Sequence, residues 1–347
     1  MDESHQYYTE AYQLIVELPN KTKSDNELLI DLLMKWALVF YYQGEFGRLT
    51  DLFEEHLDIA KTLDGKSRYG MFRAWLGFAL LCRNRIKDSY EYLMEALEIG
   101  EQLNDQKLIG YTCTWLPWTC AYYGLLDEAI NYGERAQEIS RVYPSDQYIY
   151  FKSLGGMALA TYLKGDKQRL FEIGKKLVDF GRKQSNIRSQ SMGHGFIGGA
   201  YALEGNLQAA VENGEKGVGI AADPFYAEYG RGLLGRFYLS NNQIEKAEKS
   251  LCRSLQFGEE FRIEILVAAS QVFLGVIKIA RGHMISGLKL LKKGQRTCAE
   301  GHMICERGLI DRFSGGSPYL QLPKFVGIPL EHFRQVYPLI PVAGSAL

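Results

Sequence analysis
Cys298, His302 and Cys305 stand at i, i+4 and i+7 and so share one face of a helix. Thiolate and imidazole are good zinc ligands. A fourth ligand is not evident, and a metal site held within one helix is uncommon. A stripe of small buried side chains ending the last helix explains the spacing more simply, so no metal and no cofactor are expected. His194 lies among glycines (Gly193-His194-Gly195-Phe196-Ile197-Gly198-Gly199) and reads as a hydrogen-bonded packing residue. Glu54-Glu55 and Glu259-Glu260 are adjacent carboxylates. Neighbours on a helix diverge by about 100°, so these pairs do not share a proton. The chain has no G-x-x-x-x-G-K-[ST] loop, no G-x-S-x-G, no H-E-x-x-H and no zinc-finger spacing. No catalytic residue is nominated and no enzyme is expected. The alternative is an all-α enzyme with a site between helices, whose turnover would depend on His194 or His302.

Partners are bounded by charge and hydropathy. Lys+Arg 40 against Asp+Glu 41 gives a net charge of −1. Lys289, Lys292, Lys293 and Arg296 alternate with leucines at helical spacing and read as the wet side of an amphipathic helix. No basic stripe exists elsewhere, so nucleic acid is not an expected partner. The polar start MDESHQYYTE lacks the basic-then-apolar build of a signal peptide, and no run of 18 apolar residues occurs. No membrane partner is expected. The six cysteines form no C-x-x-C pair and most lie in apolar helical stretches. Free thiols in a reducing, cytoplasmic compartment are the expectation.

What must position any site is a repeat. Short breaks separate the apolar runs at Gly44, Asn84, Gly124, Gly165, Gly205, Asn242 and Gly282, with spacings of 40, 40, 41, 40, 37 and 40 residues. Each break is flanked by two stretches of helical periodicity. The units are separated by polar stretches carrying Asp64, Asp105, Asp146, Asn186 and Asp223, residue types that favour turns and helix N-caps. Small residues recur around each break. Seven positions before it stand Ala37, Gly77, Pro117, Ala158, Gly198, Gly235 and Gly275. Five after it stand Leu49, Ser89, Ala129, Leu170, Ala210, Ala247 and Gly287, and seven further on His56, Ala96, Ala136, Leu177, Gly217, Ser254 and Gly294. Glycine within a helix costs about 0.5–1 kcal/mol relative to alanine. Its recurrence at fixed offsets points to close approach of helix backbones rather than to flexibility.

These residues resemble the tetratricopeptide repeats. Trp75-Leu76-Gly77, Leu234-Gly235 and Leu274-Gly275 match the bulky-Leu-Gly run of that family's first helix. Ala129 with Ala136, and Ser89-Tyr90 through Leu93 to Ala96, match its second helix. The resemblance spans roughly residues 26–300. The unit is nearer 40 residues than the family's usual ~34, and the proline that ends the second helix is missing. Longer helices of this kind resemble the repeat regions that follow the ATPase core in large bacterial signalling proteins, among them nucleotide cyclases and transcription activators. The resemblance implies an all-α superhelix (solenoid) of about seven helix hairpins. The expected division is 1–25 a half-repeat helix and linker, 26–301 the seven-unit solenoid, and 302–347 an irregular Pro/Gly-rich tail. Both ends read as cut, which fits a piece of a longer signalling protein as well as a self-sufficient solenoid with a half-unit cap.

A stack of helix pairs is concave on the side lined by its first helices. The repeat register directs Met34, Tyr41, Met71, Phe78, Tyr111, Trp118, Tyr122, Lys152, Tyr162, Tyr229 and Arg236 there. Aromatic and Met-rich surface is typical of interaction hot spots. The expected function is a non-catalytic scaffold that binds a peptide, a helix or an adjacent domain in this groove, as the sensor or regulatory arm of a signalling ATPase or nucleotide cyclase. A C-terminal carboxylate clamp is not expected, because it needs a set of Lys and Asn residues and only Lys152 approaches one.

Overall fold
The computed structural model describes residues 2–303, all of whose regular elements are α-helices. A first helix, α1 (Asp2–Val16), precedes seven pairs. These are α2 (Lys23–Gln43) with α3 (Phe46–Glu55) and α4 (Leu57–Thr62), α5 (Lys66–Cys82) with α6 (Ile86–Leu103), and α7 (Gln106–Tyr123) with α8 (Leu126–Val142). There follow α9 (Gln147–Lys164) with α10 (Lys167–Lys183), α11 (Ile187–Glu204) with α12 (Leu207–Ile220), α13 (Pro224–Ser240) with α14 (Ile244–Glu260), and α15 (Glu264–Ala280) with α16 (Met284–Glu300). The tail expected over 302–347, including Cys305, lies almost wholly outside the described residues.

The seven breaks share one backbone state. Gly44, Gly124, Gly165, Gly205 and Gly282 have φ between 77° and 90°, and Asn84 and Asn242 have φ 57°. Glycine and asparagine are the residues that enter this left-handed region at least cost. The turn therefore reverses the chain without strain. Of the polar separators, Asp105, Asp146 and Asn186 cap the following helix through their side chains. Asp64 pairs with Lys23 instead, and Asp223 stands at an N-cap position with its carboxylate taken by Arg188.

The small residues lie where helices touch. All those expected at the three offsets are buried. A Cβ at Gly275 would stand 2.8 Å from the Leu291 backbone nitrogen, and one at Gly287 2.9 Å from the Gly275 carbonyl oxygen. Within α15 and α16 the two backbones thus meet with no side chain between. Leu49, Leu170, Leu177 and His56 are larger members of this series, and at His56 the second helix breaks into α3 and α4. Its imidazole bonds the Leu52 carbonyl at 2.9 Å and meets the Tyr12 ring edge-on.

The superhelix does not stay open. After six hairpins it returns to its start, and the first two pairs touch the last two. On the inner side Tyr41 Oη lies 2.7 Å from Tyr226 Oη, and the Phe225 ring packs against Tyr41 and Phe46 at 5.4 and 5.0 Å. On the outer side the Gly47 amide donates to the Phe261 carbonyl at 3.3 Å, and Asp51 pairs with Arg262. Asn84 donates to the Thr297 carbonyl. The expected concave groove is therefore a closed ring with a filled centre.

Candidate functional site
The centre is built by first helices. Tyr41 comes from α2, Phe78 and Cys82 from α5, Trp118 from α7, Lys152 from α9 and Tyr226 from α13. Lys152 is 3% exposed. Its Nζ donates to Tyr41 Oη at 2.8 Å and lies 4.3 Å from the centre of the Trp118 ring, 4.9 Å from Tyr41 and 5.1 Å from Phe78. Ring faces carry negative electrostatic potential and hold a cation there. Burial nevertheless disfavours the charged form and lowers the lysine from 10.5 to about 7. The same burial pushes the Cys82 thiol up to about 12 and the Tyr41 and Tyr226 phenols well above their ordinary value. Burial thus favours the uncharged forms of the phenols, the thiol and the amine alike.

Beside this cluster a crevice runs between α5, α7, α9, α11, α13 and α15. It consists of two adjoining cavities of about 50 Å³ each, which share Tyr122, Phe196, Tyr229, Leu233 and Ile265. Lys152 lines one end and Arg236 the other. Arg236 also stacks over Phe273 at 4.7 Å. As it stands the crevice accepts a few waters or the end of one side chain. A larger concavity of about 610 Å³ lies on the outer face between α8 and α10. It is floored by Tyr150, Leu154 and Met157 and spanned by the Arg169–Glu134 ion pair at 2.9 Å. Three consecutive helices supply it, and no unpaired buried charge points into it. The centre has the convergent polar groups that a recognition site needs.

Of the residues the register directs inward, Phe78, Trp118, Tyr122, Lys152, Tyr162, Tyr229 and Arg236 line the crevice. Tyr41 is fully buried behind Lys152. Tyr111 stacks on Tyr148 and donates to Asp146 at 2.8 Å. Met34 and Met71 are half-buried against the core. Sequence reasoning missed Tyr226, Phe225, Phe196 and Met192. Met192 holds the repeat position of Met71, Tyr111, Lys152 and Tyr229, so the register could have reached it. Tyr226 sits a turn earlier, where partners distant in the chain, Tyr41 and Lys152, give it a role. His194 bonds Asn213 at 3.3 Å, and burial holds its imidazole below the ordinary value. Among the described residues no cluster of three or more metal-ligating side chains occurs. No described helix is long and apolar enough to cross a membrane.

No protein-family model matches the chain, and no curated protein matches it in sequence. Solved structures do match in shape. A Rap protein complexed with competence and sporulation factor is similar at 14% identity, over 88% of this chain and 87% of that one, with a TM-score of 0.60. NprR in complex with its cognate peptide NprX is similar at 13% identity, over 94% and 92%, with a TM-score of 0.63. A signal transduction ATPase with numerous domains and a tetratricopeptide repeat sensor, from Pyrococcus horikoshii, matches at 15% identity with a TM-score of 0.52. That match covers 97% of this chain and 50% of the ATPase. The chain has the tetratricopeptide-like helix-hairpin solenoid fold of these proteins.

Proposed function
We propose that the chain is a non-catalytic binding module whose central crevice receives a peptide or a segment of a partner protein. The observation that carries this reading is the convergence of first helices from six hairpins on one apolar crevice with a basic side chain at each end. Occupancy by more than one side chain requires the lining helices to move apart. The similar NprR structure holds its cognate peptide NprX, which supports a peptide as the first ligand class to try. The finer reading is the sensor or regulatory arm of a signalling ATPase or nucleotide cyclase. It is supported by the match to the repeat-bearing ATPase, whose length this chain half spans.

The test is a binding screen of short apolar peptides by fluorescence anisotropy on the full chain and on Gly195→Leu. Gly195 lines the crevice, and a Cβ there meets only the end of the Leu233 side chain at 3.5 Å, so a side chain can start into the crevice from that point without meeting backbone. Micromolar binding that Gly195→Leu weakens at least tenfold, at unchanged melting temperature, is expected. Peptide binding that is indifferent to Gly195→Leu would place the site elsewhere and overturn the reading.

A further inference from the structure
Lys152 brings an amine into a region with no acid. An ammonium has three donor positions. One is used by Tyr41, and the others face aromatic rings. No carboxylate pairs with it among the described residues. The titratable groups facing it are Tyr41 from α2, Cys82 from α5 and Tyr226 from α13, all neutral near pH 7. A buried cation without a counter-ion is unfavourable, and the usual remedies are a leucine or methionine in its place or an anion beside it. This fold has neither, yet the lysine lines a cavity.

A second donor is available at the same point. The Tyr41 and Tyr226 hydroxyls carry two protons and share one hydrogen bond, with Tyr41 also accepting from Lys152. One phenolic proton is therefore left to donate. An ammonium and a hydroxyl side by side match the two oxygens of a carboxylate. The remaining walls, Met192, Phe196, Leu233 and Ile265, are apolar. A phosphate would bring up to two charges against one cation and leave the excess unpaired in apolar surroundings.

We propose that the cavity at Lys152 is the receptor for a single carboxylate on an apolar stem, which pairs with Nζ and accepts a hydrogen bond from the Tyr41–Tyr226 hydroxyl pair. This rests on the crevice being the binding site and assigns that site a ligand chemistry: an acidic side chain flanked by apolar residues. Because the ion pair needs the ammonium form, binding of the acid takes up protons and weakens as the pH rises above about 7.

Two probe pairs separate the sources of the carboxylate. One pair is 4-phenylbutyrate and its amide. The other is a set of apolar heptapeptides, acetylated and amidated at their ends, carrying Glu or Gln at one position. Calorimetric titration of the full chain at pH 6.5 is expected to favour acid over amide at least tenfold. That preference falls about tenfold per pH unit above neutrality, as protonation of one group dictates. Lys152→Met abolishes the preference while the amide probes still bind, which also shows that the variant is folded. Tyr226→Phe reduces the preference several-fold without removing its pH dependence. Equal affinity for acid and amide, or a preference that survives Lys152→Met, overturns the proposal. Peptides that bind without distinguishing Glu from Gln leave the peptide reading standing and sink the acid site. Discrimination by phenylbutyrate alone keeps the acid site and sinks the peptide reading.

Discussion
Two kinds of joint hold this ring together, and they are made differently. The joints between helices of neighbouring sequence are backbone against backbone, with glycine, alanine or serine at fixed offsets in nearly every pair. The joint that closes the ring, where the first two pairs meet the last two, has no such regularity. Its inner edge is aromatic and encloses an amine, and its outer edge consists of a few polar contacts such as Asp51–Arg262 and Gly47–Phe261. A repeated joint is made from the same small residues each time, whereas a closing joint occurs once and needs residues chosen for that one meeting. The closing joint also differs in its polar content: an amine with no paired carboxylate among the described residues on the inner edge, and solvent-exposed ion pairs on the outer.

The largest effect that sharpens this contrast is the pH response of the inner edge. The folded-state value of Lys152 is about 7 against an ordinary 10.5. The unfolded chain therefore binds more protons between those values, and stability rises with pH across that window. The shift corresponds to at most about 5 kcal/mol. Denaturant unfolding from pH 7 to 10 should show wild type gaining on Lys152→Met by a large part of that amount. Parallel curves for the two proteins would mean that the amine is not buried at the seam.

At a repeated joint, Gly275→Leu should cost about 3 kcal/mol, because the added side chain meets the backbone of α16 rather than a movable side chain end. A melting temperature within a degree or two of wild type would contradict the helix-on-helix approach there. The outer edge of the seam should be far less sensitive. Asp51→Asn removes an ion pair whose side chains are about half exposed, worth under about 1 kcal/mol. Urea midpoints at low and high salt should show a small loss that salt removes, and a loss as large as that of Gly275→Leu would reverse the ranking of the joints. Lys293→Ala on the exposed face of α16 belongs to neither joint and should stay within ~0.5 kcal/mol by the same measurement.

Which parts were legible in the sequence follows from this difference. The repeat was readable because each hairpin solves the same local problem. The αL turn selects Gly or Asn at the breaks, and the close approach selects Gly, Ala or Ser at the offsets. At His56 the departure from the pattern coincides with a break in the second helix of the first pair, whereas Leu170 and Leu177 sit in an unbroken α10. The inward register was readable for Phe78, Trp118, Tyr122 and Lys152, whose positions repeat. Closure was not, since Tyr41 with Tyr226 and Asp51 with Arg262 are separated by 185 and 211 residues. Neither pair leaves a periodic trace. The same blindness made the centre read as an open groove, because a ring of inward aromatics has one pattern whether or not its ends meet.

The most direct test of ring closure is a cross-link across the outer edge of the seam. Asp51→Cys and Arg262→Cys, combined with Cys252→Ser to remove the native thiol that is exposed among the described residues, are treated with a short bis-maleimide at micromolar protein concentration and digested for mass spectrometry. A closed ring predicts intramolecular linkage of residue 51 to residue 262 in most of the monomer, and an open superhelix, with those ends apart, would give none.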